Sequence, residues 1–345
     1  MKLYIYTFKT LTPLLIGVPA GRASVISTST RIPGSTIGGA VAKALNMADR
    51  KVLLDLVAKG EYVFSDAYPV DGEKPAIPAP FPCYHVKLPA LLPKAFEGAT
   101  GNTLCIVSSQ LGDPGEAIDN LRKLLGVVDK LFEGGVGVSL ALVSKDATGA
   151  PTIIDTCGEY DGVVLCFGRK KYVETVWRDS VAISPYTRRS LEAMLYGYEA
   201  VAEEQLFWGL ATLSDAVNVD GKCYTVFMGG GKSRGFGRAR ICFERIEFEE
   251  GEKGWHLLLS PLPVRENLQV NYMPKEKATM LITGWSARPR ADMVALKPGV
   301  IVWIDEEKAY GVLDPPWGYT IASNIPKVYR TISHALRKCV ERVDV

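Results

Sequence analysis

Histidine is rare in this 345-residue sequence, which contains only three. A histidine general base needs a partner within hydrogen-bond reach, and none is identifiable beside His85 in its proline-rich stretch. His256 follows Trp255 at the start of a predicted strand and His334 lies in the predicted last helix, so both are interpreted as structural. We therefore predict no catalytic residue. His85, the one histidine expected to be exposed, is kept as the candidate base of an alternative, enzymatic hypothesis.

Paired cysteine motifs are also absent. The seven cysteines are scattered, odd in number and never spaced as CxxC. That pattern argues against a zinc site and against a disulfide framework. We predict reduced, mostly buried thiols in an intracellular protein, with no metal and no cofactor. The cysteines are Cys83, Cys105, Cys157, Cys166, Cys223, Cys242 and Cys339.

Long apolar runs and a large net charge are the third and fourth absences. No run reaches the roughly 18–20 residues of a membrane helix. The opening MKLYIYTFKT alternates like a strand and lacks the apolar core of a signal peptide. We predict a cytoplasmic protein without membrane contact. Because the net charge is only +2, any nucleic-acid binding must come from local clusters of basic residues.

Strands and helices are both predicted, and they are mixed along the chain. Residues 113–134 have an apolar stripe of helical period, and a second amphipathic helix closes the chain. The proline-rich residues 75–93 are predicted to form an extended loop. Residues 188–212 are ambiguous, with helix favoured at RRSLEAML and strand further on. No regular series of βαβ units is visible, which predicts an α+β fold with antiparallel sheets.

The strand pattern restarts near residue 165, where we place a domain boundary. Domains commonly contain about 100–200 residues, so a chain of this length is expected to contain two. The predicted domains are residues 1–165 and residues 166–345.

The sequence GGGKSRGFGRARI gathers five glycines and four basic residues, without an acid, at residues 229–241. It contains GKS, but a nucleotide phosphate loop needs glycine where Val226 stands and a helix after Ser233, where glycines and a strand follow. A dinucleotide GxGxxG motif also fails, because Arg234 or Arg240 occupies the third glycine position.

The remaining interpretation of this glycine-rich loop, residues 229–238, is polyanion binding. Glycine backbone amides form anion-binding nests, Lys232, Arg234, Arg238 and Arg240 supply charge, and Phe236 is a candidate for stacking on a base. Arg238 and Arg240 are predicted to share one strand face. The alternative is a flexible hairpin tip with solvated charges.

Several blocks of the sequence resemble the repeat-associated mysterious proteins (RAMP superfamily) of CRISPR systems. RIPGSTIGGAVAKAL at residues 31–45 and the glycine-rich block are similar to the paired signatures of that superfamily. YVFSDAYPV, the following PAIPAPFP, and LYGYEAVAEEQLFWG resemble its middle regions. GWSARPRADMVALKPGVIVWI is similar to an element of the subunit that holds the 5′ handle of the guide RNA in type III effector complexes. Subtype III-D is the best match, although Val300 stands where serine is usual.

The resemblance implies two ferredoxin-like (RRM-like) domains with antiparallel sheets and the glycine loop in the second. It implies a non-catalytic subunit that binds guide RNA beside a large polymerase-like subunit and backbone RAMP subunits in antiviral defence. Trp285, with Arg288 and Arg290, is either an RNA clamp or a core residue with basic neighbours. The predicted RNA-binding residues are Arg31, Ser35, Lys43, Gly229, Gly230, Gly231, Lys232, Ser233, Arg234, Gly235, Phe236, Gly237, Arg238, Trp285, Arg288 and Arg290.

Two related functions remain as alternatives. Backbone RAMP subunits place a catalytic aspartate just upstream of the IPGS block, whereas residues 17–34 here contain no acid. Guide-processing relatives are metal-independent endoribonucleases that use an early histidine, for which His85 is the candidate. Asp66 is either a catalytic acid or, as we favour, a turn former before Tyr68-Pro69.

Overall fold

A computed structural model describes most of the chain. The described residues are 1–19, 25–29, 31–47, 49–80, 82–86, 101–133, 143–146, 149–183, 185–247, 253–264, 272–273, 279–283, 292–307 and 310–344.

Antiparallel strands dominate the described residues, and helices are fewer, as the predicted α+β class requires. The helices are α1 (Gly34–Ala44), α2 (Arg50–Ala58), α3 (Ala117–Glu133) and α4 (Ile325–Val343). The strands are β1 (Lys2–Thr10), β2 (Gly17–Pro19), β3 (Val25–Thr28), β4 (Tyr62–Phe64), β5 (Tyr68–Asp71), β6 (Lys74–Pro78), β7 (Cys83–Val86), β8 (Thr103–Ile106), β9 (Val143–Asp146), β10 (Pro151–Tyr160), β11 (Val163–Lys170), β12 (Thr175–Ile183), β13 (Ser190–Val201), β14 (Leu206–Leu213), β15 (Cys223–Phe227), β16 (Arg238–Arg245), β17 (Gly254–Leu258), β18 (Leu262–Pro263), β19 (Tyr272–Met273), β20 (Thr279–Thr283), β21 (Asp292–Leu296), β22 (Ile301–Ile304), β23 (Tyr310–Asp314) and β24 (Trp317–Ala322).

The first strand, β1, lies between β16 and β14 in the largest sheet and is buried on both faces. Successive side chains of a strand point to opposite faces, and in β1 both sets contain buried apolar residues. Tyr4, Tyr6 and Phe8 pack in the apolar cluster of α1 and α2. Leu3 and Ile5 pack in the cluster that contains the buried stripe of α4. This two-sided burial explains the continuous apolar and aromatic character of the opening sequence.

Four antiparallel strands, in the order β16-β1-β14-β4, form the part of this sheet next to the glycine-rich loop. The helices α1 and α2 connect β1 to β4, and β15 extends the sheet beyond β16. The sheet therefore contains strands from both sides of residue 165, and the division into two domains near that residue stays a prediction. Further along, the same sheet continues through β5, β6, β10, β11, β8, β7 and β9.

Several local predictions are corrected by the structure. The proline-rich stretch predicted as a loop contains β6 and β7. Ala76 and Ile77 are buried between neighbouring strands, Pro75 lies where β6 changes its partner from β5 to β10, and Pro78 is the last residue of β6. RRSLEAML, where helix was favoured, leads into β13.

The helix predicted over residues 113–134 is present as α3, but it begins four residues later, at Ala117. Its described buried positions are Ala117, Leu124, Val128 and Leu131, whereas Ile118 is 54% exposed. The C-terminal helix is also present, and Asn324 precedes it without a side-chain cap.

Six of the seven cysteines form disulfides, so the prediction of reduced thiols is wrong for those six. The pairs are Cys83–Cys105, Cys157–Cys166 and Cys223–Cys242, and Cys339 is a buried free thiol. Each pair faces directly across two antiparallel strands, with a Cα–Cα distance of 4.1 Å. Sequence spacing of 9 to 22 residues gave no sign of this register.

We expect the unreduced, denatured protein to expose one reactive thiol per chain, and the reduced protein to expose seven. Closing loops of this size stabilises a fold by about 3 kcal/mol per disulfide in the chain-entropy treatment. Reduction should therefore also lower the melting temperature. Thiol titration in denaturant, with and without reductant, and a thermal melt under both conditions measure the two effects. Seven reactive thiols before reduction would contradict the assignment.

Candidate nucleic-acid interface

The glycine loop is the tip of the β15–β16 hairpin. Phe227 and Arg238 pair across its base, and the Met228 N–H donates to the Gly237 carbonyl over 2.8 Å. A single 3-10 turn occupies Lys232–Arg234, between Gly231 and Gly235 in left-handed backbone conformations. The predicted turn is thus a compact, internally bonded loop.

Two of the glycines are required by the loop itself. At Gly237 the φ angle is +84°, and an added Cβ would come to 2.1 Å from the Met228 carbonyl oxygen. At Gly229 the φ angle is +74°, and an added Cβ would come to 2.5 Å from the Leu15 oxygen. Gly235 differs, because its φ is +85° but nothing lies within 4 Å of an added Cβ. Open space beside Gly235 leaves its backbone accessible to a ligand.

The loop is anchored to residues 11–16, which follow β1. The Gly230 N–H donates to the Leu15 carbonyl and the Gly237 N–H to the Pro13 carbonyl, both over 2.8 Å. The Arg238 N–H donates to the Thr12 hydroxyl over 2.9 Å. These bonds hold the loop on the sheet edge, which disfavours the alternative of a flexible hairpin tip.

Exposed cations line the outer side of this anchored loop. Lys232, Arg234 and Arg238 are exposed, and Arg240 is half-buried on the same strand face as Arg238, as predicted. Arg234 is oriented by Tyr198, because its guanidinium donates to the Tyr198 hydroxyl and lies 5.4 Å from the ring centroid. Within the described residues, Lys232 and Arg238 form no ion pair. In the part of the chain that the structure describes, Lys232 and Arg238 therefore present positive charge that no acid pairs with, beside an accessible backbone.

Phe236 is placed in the interior of the interface. It is 4% exposed and packs with Leu15, Tyr198 and Ala200, and the Arg178 guanidinium lies 5.1 Å from its ring centroid. In this arrangement the ring anchors the loop onto the β12–β13 hairpin. Its predicted stacking on a base stays a prediction that requires the ring to leave this cluster.

Arg31 and Asp66 form a buried ion pair at the start of α1. The Arg31 guanidinium donates to the Asp66 carboxylate, which also accepts the Gly34 N–H over 2.9 Å. Burial raises the pKa of the Asp66 carboxyl, while Arg31 and the Gly34 N–H oppose that effect. Asp66 thus fixes the helix start, a role that the sequence did not predict. Arg31, predicted to contact RNA, has its guanidinium directed to Asp66.

Ser35 and Lys43 are exposed in the first and last turns of α1. Eight residues separate them, so they lie about 12 Å apart along the helix axis. The helix packs beside β15, the strand that leads into the glycine loop. The segment before α1 also approaches the loop, because the Ser29 N–H donates to the Ile16 carbonyl next to the loop anchor. The two sequence blocks are therefore neighbours in the fold.

The other predicted residues divide clearly. Trp285, Arg288 and Arg290 lie outside the described residues and stay predictions. The histidine prediction is wrong in one respect, because His334 is exposed while His85 is half-buried in β7 with the Asn102 amide 3.3 Å from its Nε2. His256 is fully buried. The described part of the chain contains no group of three or more His, Cys, Asp or Glu residues able to hold a metal.

Sequence reasoning missed the β12–β13 hairpin, which supplies Arg178 and Tyr198 to the loop. The sequence TVWRDSVAI gives little signal of this strand, because its apolar and polar residues do not alternate. Strand geometry places Val176 and Arg178 on the face opposite Trp177.

Across the described residues, no helix combines the length and apolarity needed to cross a membrane.

Three solved structures share limited similarity with this chain. A chain of the Type III-B Cmr-beta complex bound to cognate target RNA is 17% identical, with a TM-score of 0.48, covering 87% of this chain and 86% of that chain. A chain of the Csm1–Csm4 cassette in complex with cA4 is 14% identical, with a TM-score of 0.34 and coverages of 92% and 97%. Pyrococcus furiosus Cmr4 (Cas7) is 12% identical, with a TM-score of 0.26 and coverages of 71% and 100%.

No protein-family model and no curated protein sequence matches the chain. The assignment to subtype III-D stays a prediction.

Proposed function

We propose that this chain is a non-catalytic RNA-binding subunit of a type III CRISPR effector complex, and that it holds the 5′ handle of the guide RNA. The observation that carries the proposal is the anchored glycine loop with its exposed cations. Lys232, Arg234 and Arg238 surround a backbone that is open at Gly235. A ribose-phosphate strand is the ligand that combines negative charge with the need for close backbone approach.

The electrostatic case depends on how the cations are held. Arg234 is pre-oriented by Tyr198, so less side-chain freedom is lost when it binds a phosphate. Lys232 and Arg238 extend from a loop whose backbone is fixed by bonds to residues 11–16. A rigid array of this kind positions a strand without reading its bases.

Fewer residues from the first half of the chain belong to the proposed RNA surface than the sequence predicts. Ser35 and Lys43 are accessible on α1, which lies beside β15, and both remain in the proposed RNA surface. Arg31 forms an intramolecular ion pair, because its guanidinium binds the buried Asp66 carboxylate. We infer that Arg31 supports the surface by fixing the start of α1.

The fold supports at least one ferredoxin-like unit. The strand order β16-β1-β14-β4, with helices connecting β1 to β4, is the order of that fold with β15 added at the edge. The glycine loop joins β15 and β16, at the edge of this unit. A second ferredoxin-like unit, the large polymerase-like subunit and the backbone RAMP subunits as partners, and the cytoplasmic location all belong to the proposal.

A non-catalytic role is supported by the chemistry of two positions. Residues 17–34, where backbone relatives carry a catalytic aspartate, contain no acid, so a metal-assisted cut lacks its carboxylate there. Asp66 is occupied by Arg31 and by the Gly34 amide. The competing hypothesis, a metal-independent endoribonuclease, depends on His85, which is half-buried in a strand.

We expect the purified chain to leave CRISPR repeat RNA intact, both without metal and with Mg²⁺ or Mn²⁺. The reason is that the described residues contain no group of three or more His, Cys, Asp or Glu residues able to hold a metal, and that the candidate base His85 is half-buried in a strand. Denaturing electrophoresis of end-labelled RNA measures the result. Site-specific cleavage that disappears in a His85→Ala variant would replace this proposal with the endoribonuclease. The His334→Ala variant is the matched control for an exposed histidine elsewhere.

A further inference from the structure

The β12–β13 hairpin has a second face, turned away from the glycine loop. Cross-strand register places Trp177 opposite Glu199 and Asp179 opposite Gly197 on that face. Val181 continues the alternation, and Ile183 follows after a register shift. Trp177, Val181 and Ile183 are 53%, 43% and 61% exposed. Three large exposed apolar side chains along one strand, interrupted only by Asp179, are unusual on a protein surface that stays in water.

Trp177 is held as a flat platform. Its indole lies over Gly197 on the neighbouring strand, where the Cβ of any other residue would come to 2.1 Å from the indole atom Cζ2. The indole N–H donates to the Asp179 carboxylate over 2.6 Å. One ring face is therefore covered by backbone, the polar edge is satisfied, and the other face is open. Little side-chain freedom remains to be lost when a ligand stacks on it.

The charge of this face is the opposite of the charge at the glycine loop. Asp179 and Glu199 flank the indole, and no lysine or arginine among the described residues of β12 and β13 shares their face. Arg178 points the other way, to Phe236. Carboxylates beside an aromatic platform repel phosphate but attract a guanidinium, which stacks on tryptophan and pairs with acids.

We propose that this face, defined by Trp177, Asp179, Val181 and Glu199 with Ile183 at its end, docks a neighbouring protein through an arginine flanked by apolar side chains. The arginine stacks on the open face of Trp177 between the two carboxylates, and the apolar residues cover Val181 and Ile183. Tryptophan and arginine are the residues that most often dominate binding energy at protein interfaces. The hairpin thus separates RNA on one face from protein on the other.

The inference rests on the proposed function in one respect, namely that the chain works beside other protein subunits. The test is reconstitution of the full chain with guide RNA and with the large and backbone subunits of its own complex. Two variants alter the face: Trp177→Ala and Glu199→Arg. Both sites are on the surface, and Val52→Ala, at an exposed apolar residue of α2, is the matched control.

We expect each face variant to weaken binding of a protein partner at least about 10-fold, as loss of a hot-spot contact does, with guide-RNA affinity and melting temperature unchanged. Partner affinity is measured by interferometry with immobilised chain, and RNA affinity by filter binding. Unchanged partner affinity in both variants, or no partner binding by the unaltered chain, would overturn the inference. A fall in RNA affinity instead would make the face an RNA contact. Failure of the proposed function gives a different result, namely a guide-RNA affinity that does not change when the glycine-loop cations are replaced.

Discussion

Replacing Lys232, Arg234 and Arg238 together by glutamate is expected to lower guide-RNA affinity by about 100-fold or more at moderate salt. The three side chains are exposed on one anchored loop, so each replacement both removes an attraction for phosphate and adds a repulsion. Each lost phosphate contact on a single strand reduces the salt dependence of log K by about 0.7, and three reduce it by about 2. Affinity measured from low to high salt gives both quantities.

The control for this triple variant makes the same change in net charge at three cations away from the glycine-rich loop. Arg50 and Lys51 on α2 and Lys123 on α3 are exposed cations remote in sequence from the loop, and their joint replacement by glutamate should leave affinity within a few-fold. Arg234 also bonds Tyr198, so the Lys232→Glu, Arg238→Glu double variant, which spares it, separates binding from any loss of stability. An affinity in the triple variant equal to that of the control would reject the RNA site.

Much of this site was predictable from the sequence, because composition and order alone reveal a loop of glycine and cations before a strand. The failed Walker and dinucleotide patterns also excluded nucleotide binding loops without any coordinates. The partners of the loop were not predictable. Its anchor at residues 11–16 and its neighbours Arg178 and Tyr198 come from chain segments that only the sheet order brings together.

The roles of Arg31 and Phe236 show the limit of reasoning from residue type. Both are types that bind RNA, but the fold directs the Arg31 guanidinium to Asp66 and the Phe236 ring to Leu15 and Ala200. A sequence does not state which cation will find a buried acid. The exposure of a side chain decides whether it contacts a ligand or packs in the core, and that exposure is set by the tertiary structure.

The predictions for the cysteines and for the proline-rich segment were wrong for a related reason. Disulfide pairing depends on strand register, and Cys157 and Cys166 become neighbours only because β10 and β11 pair as they do. Proline content predicts a loop when each residue is considered alone. Burial of Ala76 and Ile77 between β5 and β10 overrides that preference.

Gly237→Ala is expected to destabilise the fold by about 4 kcal/mol, near the upper end for a single substitution. A left-handed φ costs a non-glycine residue about 1–2 kcal/mol. The new Cβ would also overlap the Met228 carbonyl oxygen at 2.1 Å. Relief of that overlap moves the hydrogen bonds from the Met228 N–H to Gly237 and from the Gly237 N–H to Pro13, which tie the loop to the sheet. Denaturant unfolding measures the loss.

Gly235→Ala is the matched variant, because its φ of +85° is nearly the same while nothing lies within 4 Å of the added Cβ. It should lose only the conformational term, about 1 kcal/mol. The pair therefore separates glycine needed for folding from glycine needed for RNA. If a ribose-phosphate strand approaches the open backbone, Gly235→Ala lowers RNA affinity several-fold in a protein that remains folded. Equal unfolding free energies for the two variants would contradict the loop geometry. An unchanged affinity in Gly235→Ala would restrict RNA contact to the charged side chains.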